Sequence, residues 1–181
     1  MRKIKSSQAN RGMPFEHLIT VSNDMYHRKG IAVINKRPTP VKVLKVTGNK
    51  LIGHYEAPST VDYDGVYAGR AICFEAKSVH TDTRFELKNL HAHQVQHLQD
   101  CEAQGAVCFL LIEFAVERKV FLCPFSNILF YVMGAASGGR KSIPRADFDS
   151  FAYEVKSGRA ALDYLAVLDS IGGVFRDSQS G

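Results

Sequence analysis

The sequence predicts an α/β domain built on a mixed central sheet flanked by helices. Three observations carry this. Apolar residues recur at period two in some stretches and at period near 3.6 in others. Several strand-like runs are joined by two-residue turns, so those neighbours run antiparallel. One near-continuous apolar run, residues 106–114, follows a helical stretch and reads as a buried central strand. Mixing both kinds of element along the chain favours a mixed sheet over a purely parallel one.

The elements follow in order. Residues 1–9 are basic and without periodicity, and read as a flexible arm. Asn10 is placed to cap a helix running to about Lys29, with Phe15, Leu18, Ile19, Val21, Met25 and Tyr26 as its apolar stripe and Gly30 as its stop. Residues 31–35 form a short strand, and Lys36-Arg37-Pro38-Thr39-Pro40 is a rigid basic break. Residues 41–47 and 50–56 flank Gly48-Asn49, a hairpin signal. Lysines alternate along this ribbon, so it is expected to project from the body. Pro58 opens a second hairpin, residues 61–67 and 70–79, turned at Ala68-Gly69. Its second strand puts Cys73, Glu75 and Lys77 on one face and Ile72, Phe74 and Ala76 on the other. Residues 78–87 read as a polar loop, and 88–104 as a helix buried through Leu90, Val95, Leu98 and Cys101. Residues 119–123 pair back on the central strand, and 124–133 form a short apolar helix. Residues 137–144 read as a basic glycine-rich loop, 147–155 and 161–171 as short helices, and 172–181 as a polar tail. The phenylalanines at 109, 114, 121, 125 and 130 read as core.

Composition removes several classes. Of 181 residues 45% are hydrophobic and 23% charged, too apolar for a disordered chain and enough for a core without staples. The longest apolar runs, 106–112 and 128–136, fall far short of the roughly 20 residues of a membrane-spanning helix. No apolar segment follows the basic start of the chain, so a cytoplasmic location is expected. Cys73, Cys101, Cys108 and Cys123 show no Cys-x-x-Cys spacing and read as free structural thiols rather than a zinc site. His93 and His97 lie one helical turn apart but lack a third ligand in sequence. The net charge of +5 is unevenly spread. Residues 1–50 hold eleven basic side chains against Glu16 and Asp24, a net +9, which points to nucleic acid.

The sharpest local pattern is Asp62 followed by Glu75-Ala76-Lys77. Cross-strand pairing brings Asp62 beside Glu75. Two adjacent carboxylates repel unless a cation lies between them, and a hard ion such as Mg²⁺ takes such oxygens. Lys77 on the same face has two tasks open to it: meeting transition-state charge, or helping to position and deprotonate an attacking water. Asp64, on the same strand face, reads either as a false twin of Asp62 or as a group supporting the ligands from behind, with Asp62 the expected ligand. Beside a basic N-terminal region, this set favours phosphodiester cleavage.

Asp62…Glu75-Ala76-Lys77 fits the PD-(D/E)XK nuclease pattern. The chain further resembles the RecU family of Holliday junction resolvases of low-GC Gram-positive bacteria and their phages. The blocks that carry the resemblance are residues 10–16, 30–40 (GIAVINKRPTP), 58–77 (PSTVDYDGVYAGRAICFEAK), 87–97 (LKNLHAHQVQH), 104–109 and 138–144 (GGRKSIP). The resemblance implies a restriction-endonuclease-like fold, one nuclease domain over residues 10–171, and a stalk at 41–56. It implies magnesium binding at Thr60, Asp62, Glu75 and Gln94, with Mn²⁺ able to substitute, and transition-state stabilisation by Lys77. It also implies a homodimer that resolves four-way DNA junctions by paired nicks, with a recombinase as a further partner. Arg11, Lys36, Arg37, Lys42, Lys45, Arg140 and Lys141 are the expected DNA contacts. Two departures stand out: the stalk is short, and Val61 replaces a threonine. Two other readings stay open, a related nuclease acting on other branched or duplex DNA and a non-catalytic DNA-binding or recombinase-modulating protein.

Overall fold

The computed structural model describes residues 14–55 and 60–171. In chain order the elements are α1 (Phe15–Arg28), β1 (Ala32–Lys36), β2 (Val41–Thr47), β3 (Lys50–Tyr55), β4 (Tyr63–Tyr67), β5 (Arg70–Val79), β6 (Arg84–Glu86), α2 (Ala92–Ala103), β7 (Val107–Phe114) and β8 (Lys119–Pro124). They continue with α3 (Phe125–Ala136), β9 (Ser142–Pro144), α4 (Phe148–Phe151), β10 (Tyr153–Val155) and α5 (Tyr164–Ile171). The central sheet has six strands in the order β1-β4-β5-β7-β8-β10. Among the described residues only β5 and β7 run parallel, joined by the α2 crossover, and the other pairings are antiparallel. The sheet is therefore mixed, as the hairpin signals required.

Alternation along the strands divides the core in two. Ile72 and Phe74 of β5, with Phe109 and Leu111 of β7, pack under α1 and α5. Cys73 of β5, with Cys108, Leu110 and Ile112 of β7, packs with Leu98 of α2 and with Phe125 and Ile128 of α3. Tyr63, Phe74 and Phe109 stack across three strands at centroid distances of 4.8 and 4.7 Å. Glu75 follows the parity of Cys73, so it faces α2 from the interior of the sheet.

The turns obey their residues. Ala68 and Gly69 both have positive φ, 48° and 76°, the two left-handed positions of a tight hairpin. Gly65 in β4 is needed for another reason. A Cβ there would sit 2.1 Å from the carbonyl oxygen of Val33 on β1.

β2 and β3 form a separate two-stranded ribbon in which every residue is exposed, as the alternating lysines predicted. Several expectations are corrected. The first helix begins at Phe15, and the expected Asn10 cap lies outside the described residues, as does Pro58. Asp62 is not within a strand but immediately precedes β4. The polar loop 78–87 contains β6, which pairs with β9 from the glycine-rich loop. The helix expected from 88 starts at Ala92, because residues 87–89 form a short 3-10 turn and Leu90 is extended. The helix expected over 147–155 is only Phe148–Phe151, since Tyr153–Val155 pairs with the edge of β8. The last helix is shorter than 161–171, beginning at Tyr164.

Candidate active site

Register builds the site. Tyr63 pairs with Phe74, so one step further Asp62 falls opposite Glu75. The ladder ends there because Asp62 turns its carboxylate inward, and its Oδ2 accepts the Ala76 amide N–H at 3.0 Å. That bond pins the aspartate to the middle of Glu75-Ala76-Lys77. Its own carbonyl accepts the Arg37 amide N–H at 2.8 Å, which fixes the preceding loop against the end of β1.

Glu75 is fully buried. Its Oε2 receives two donors, the Lys77 ammonium at 2.8 Å and the Gln94 amide Nε2 at 2.8 Å. Its Oε1 is buried and makes no hydrogen bond among the described residues. Burial pushes the Glu75 carboxyl up to about 8, the Asp62 charge pushes in the same direction, and Lys77 opposes both. A buried carboxylate with an orphaned oxygen, facing a second carboxylate, is an arrangement that a divalent cation resolves. The oxygen donors suit a hard ion. Asp62, Glu75 and Lys77 are thus brought together as the spacing predicted.

Gln94 is placed by the start of α2. Its Oε1 accepts the His91 amide N–H at 3.0 Å, half of a capping box at the helix N-terminus. That fixes the amide orientation, leaving the NH₂ group to donate to Glu75. In this arrangement Gln94 holds a carboxylate rather than offering an oxygen of its own. Thr60 lies in the loop before β4, where its hydroxyl accepts from Arg37 Nη1 at 3.1 Å.

Asp64 is not a twin of Asp62. It lies opposite Cys73 in the ladder and is engaged by Arg37 at 2.7 Å. Arg37 therefore bridges Asp64 and Thr60, and Lys36 pairs with Glu16 of α1 at 2.5 Å. Both basic side chains remain exposed, but each already has a carboxylate beside it. Lys42 and Lys45 lie on the exposed ribbon, and Arg140 and Lys141 are exposed before β9. Arg11 lies outside the described residues. Sequence reasoning missed the Glu16 partner of Lys36. It also gave Gln94 no capping role, although a polar side chain three residues after a helix start is a signal for one.

Comparison with known proteins gives a consistent result. The model of the family described as recombination protein U, RecU, matches residues 10–170. A Holliday junction resolvase RecU of Limosilactobacillus reuteri (strain DSM 20016) is 40% identical over 174 residues, covering 92% of this chain and 85% of that protein. The protein of the same name from Geobacillus kaustophilus (strain HTA426) is 36% identical over 177 residues, covering 94% and 88%. That of Lactiplantibacillus plantarum (strain ATCC BAA-793 / NCIMB 8826 / WCFS1) is 40% identical over 169 residues, covering 90% and 82%.

Proposed function

This chain belongs to the RecU family, and on that premise we propose that it is a Mg²⁺-dependent endonuclease that resolves four-way DNA junctions by paired symmetric nicks. The observation that carries the reading is the Asp62–Glu75 pair, with the orphaned Glu75 Oε1 and the Lys77 ammonium beside it. The relatives are named for this reaction, and their similarity runs through the whole stretch that holds these residues.

Asp62 and Glu75 are the residues that would hold the cation. Bound there, Mg²⁺ would supply an activated water and charge neutralisation at the scissile phosphate. Gln94 keeps Glu75 in its rotamer through the 2.8 Å bond. Thr60, held by Arg37, sets the position of the loop that delivers Asp62. Lys77 lies where an ammonium can meet the charge that develops on the phosphate.

DNA is proposed to contact Arg11, Lys36, Arg37, Lys42, Lys45, Arg140 and Lys141. The ribbon β2–β3 is assigned to the branch point and to any recombinase contact. Two nicks related by symmetry need two such sites, so the acting species is a homodimer. No described helix is long and apolar enough to cross a membrane.

The test compares a synthetic four-way junction, a flap and a linear duplex, with and without Mg²⁺, using the wild type and Asp62→Asn. The expected result is junction cleavage by the wild type in Mg²⁺ alone, and junction binding without cleavage by the variant. Equal cutting of all three DNAs would remove the junction specificity. Equal nicking by both proteins would remove the site.

A further inference from the structure

We propose that Cys73, His97 and Cys101 form a second cation site, for a thiophilic ion of the Zn²⁺ class, on the α2 side of the sheet. The sequence argued against this, because the cysteines form no Cys-x-x-Cys pair. The fold supplies what the spacing lacks. Cys73 on β5 faces the layer in which α2 packs. His97 and Cys101 stand one turn apart on α2, which packs over β5 and β7.

The geometry is close to that of a loaded site. One donor atom from each of Cys73, His97 and Cys101 lies within 4.8 Å of the others. Cys101 Sγ and His97 Nε2 are 3.5 Å apart. Tetrahedral zinc with its usual bond lengths places a sulfur and a nitrogen about 3.5 Å apart and two sulfurs about 3.8 Å apart. The pair on the helix already has its final separation, and the strand cysteine needs to approach by no more than about an ångström. His97 and Cys101 are only half-buried, so a water from the solvent side would complete the tetrahedron.

Two further features fit a cation with thiolate ligands. Two thiolates and a neutral imidazole around Zn²⁺ leave no net charge in this half-buried layer. The donors also sort the ions. Sulfur and imidazole select Zn²⁺, whereas the Asp62 and Glu75 oxygens select Mg²⁺.

The site shares both of its supports with the carboxylate pair. Cys73 lies two residues before Glu75 on β5, and His97 lies three after Gln94 on α2. A cation there ties the helix carrying Gln94 to the strand carrying Glu75, so its role is structural and positional.

The test is a titration of the reduced, chelator-stripped full chain with Co²⁺ alone, followed by Zn²⁺ displacement. One equivalent per chain is expected, with a thiolate-to-cobalt charge-transfer band that excess Mg²⁺ does not remove and that Asp62→Asn retains. Cys101→Ser and His97→Ala are both at half-exposed helix positions, and circular dichroism checks that each folds. Each loses a direct ligand, so affinity should fall by more than the roughly 10–100-fold cost of losing an outer-shell partner. Absence of the band in the wild type, displacement by Mg²⁺, or an unchanged titration in Cys101→Ser would each overturn the proposal. So would a Cys73–Cys101 disulfide forming under mild oxidant in a chain that takes up no cobalt.

Discussion

Replacing Glu75 by glutamine isolates the electrostatic cost of the candidate active site. Burial first and the Asp62 charge second push the wild-type carboxyl up from 4.5 to about 8 in the folded protein. Between those values the folded state binds a proton that the unfolded chain has released. Stability in the metal-free protein is therefore full below about pH 4.5 and declines as pH rises through about 8. At about 1.4 kcal/mol for each tenfold change in proton affinity, the whole decline is worth about 5 kcal/mol. The glutamine has no such dependence, but it leaves the Lys77 ammonium without its partner at 2.8 Å. At pH 5 the variant should thus be no more stable than the wild type. By pH 9 the difference should have moved several kcal/mol in its favour. Urea unfolding in EDTA, followed by far-ultraviolet circular dichroism because the chain has no tryptophan, measures this directly. Adding Mg²⁺ at 100 times its dissociation constant should then return about 2.7 kcal/mol to the wild type at high pH and less to the variant. Parallel stability curves for the two metal-free proteins, within about 0.5 kcal/mol, the usual size of a surface substitution, would refute the reasoning.

Removing the Gln94 amide with Gln94→Ala should lower single-turnover junction cleavage by roughly 10–100-fold and weaken the Mg²⁺ requirement curve, since Glu75 loses an orienting donor. Cleavage measured across a Mg²⁺ series checks this. Gly65→Ala should destabilise the fold by about 2 kcal/mol or more, because the new methyl meets backbone rather than a movable side chain. Denaturant midpoints check it. Lys42→Ala and Lys45→Ala should weaken binding of all DNAs similarly and each reduce the slope of log K against log salt by about one, if each lysine neutralises one phosphate. Binding isotherms over a salt range measure the slope.

Legibility in the sequence followed the range of the interactions. The period of two along β5 was enough to put Cys73, Glu75 and Lys77 on one face, and the Ala68-Gly69 turn fixed the register that brings Asp62 to Glu75. Both signals are local. The β6–β9 pairing joins Arg84–Glu86 to Ser142–Pro144, three residues on each side, too short to show any period. Tyr153–Val155 was absorbed into a helical pattern because Phe148 and Phe151 suggested one, yet the edge of β8 offered unpaired backbone groups that a strand satisfies. Free lysines and arginines were expected near the site, but Arg37 and Lys36 carry Asp64 and Glu16 as partners. Those pairs join elements distant in sequence and leave no local trace.

The same reasoning explains why the thiol group escaped notice while the carboxylate pair did not. A hairpin converts sequence spacing into spatial contact with little freedom, so two acids on its strands announce themselves. The three thiol and imidazole ligands come from β5 and the crossover helix α2, whose long connection carries no turn to fix their approach. Yet the crossover is also what gives the two sites a common frame. β5 carries Cys73 and Glu75 at the same parity, and α2 carries Gln94, His97 and Cys101 over that face. Any change that shifts α2 along the sheet must therefore act on both groups. A variant that loosens the helix without touching Glu75, such as Cys101→Ser, should leave the chemistry of the carboxylates intact while reducing the order of Gln94. Its cleavage defect should then be largest at low Mg²⁺ and recover at high Mg²⁺, whereas loss of Asp62 cannot be recovered at any concentration.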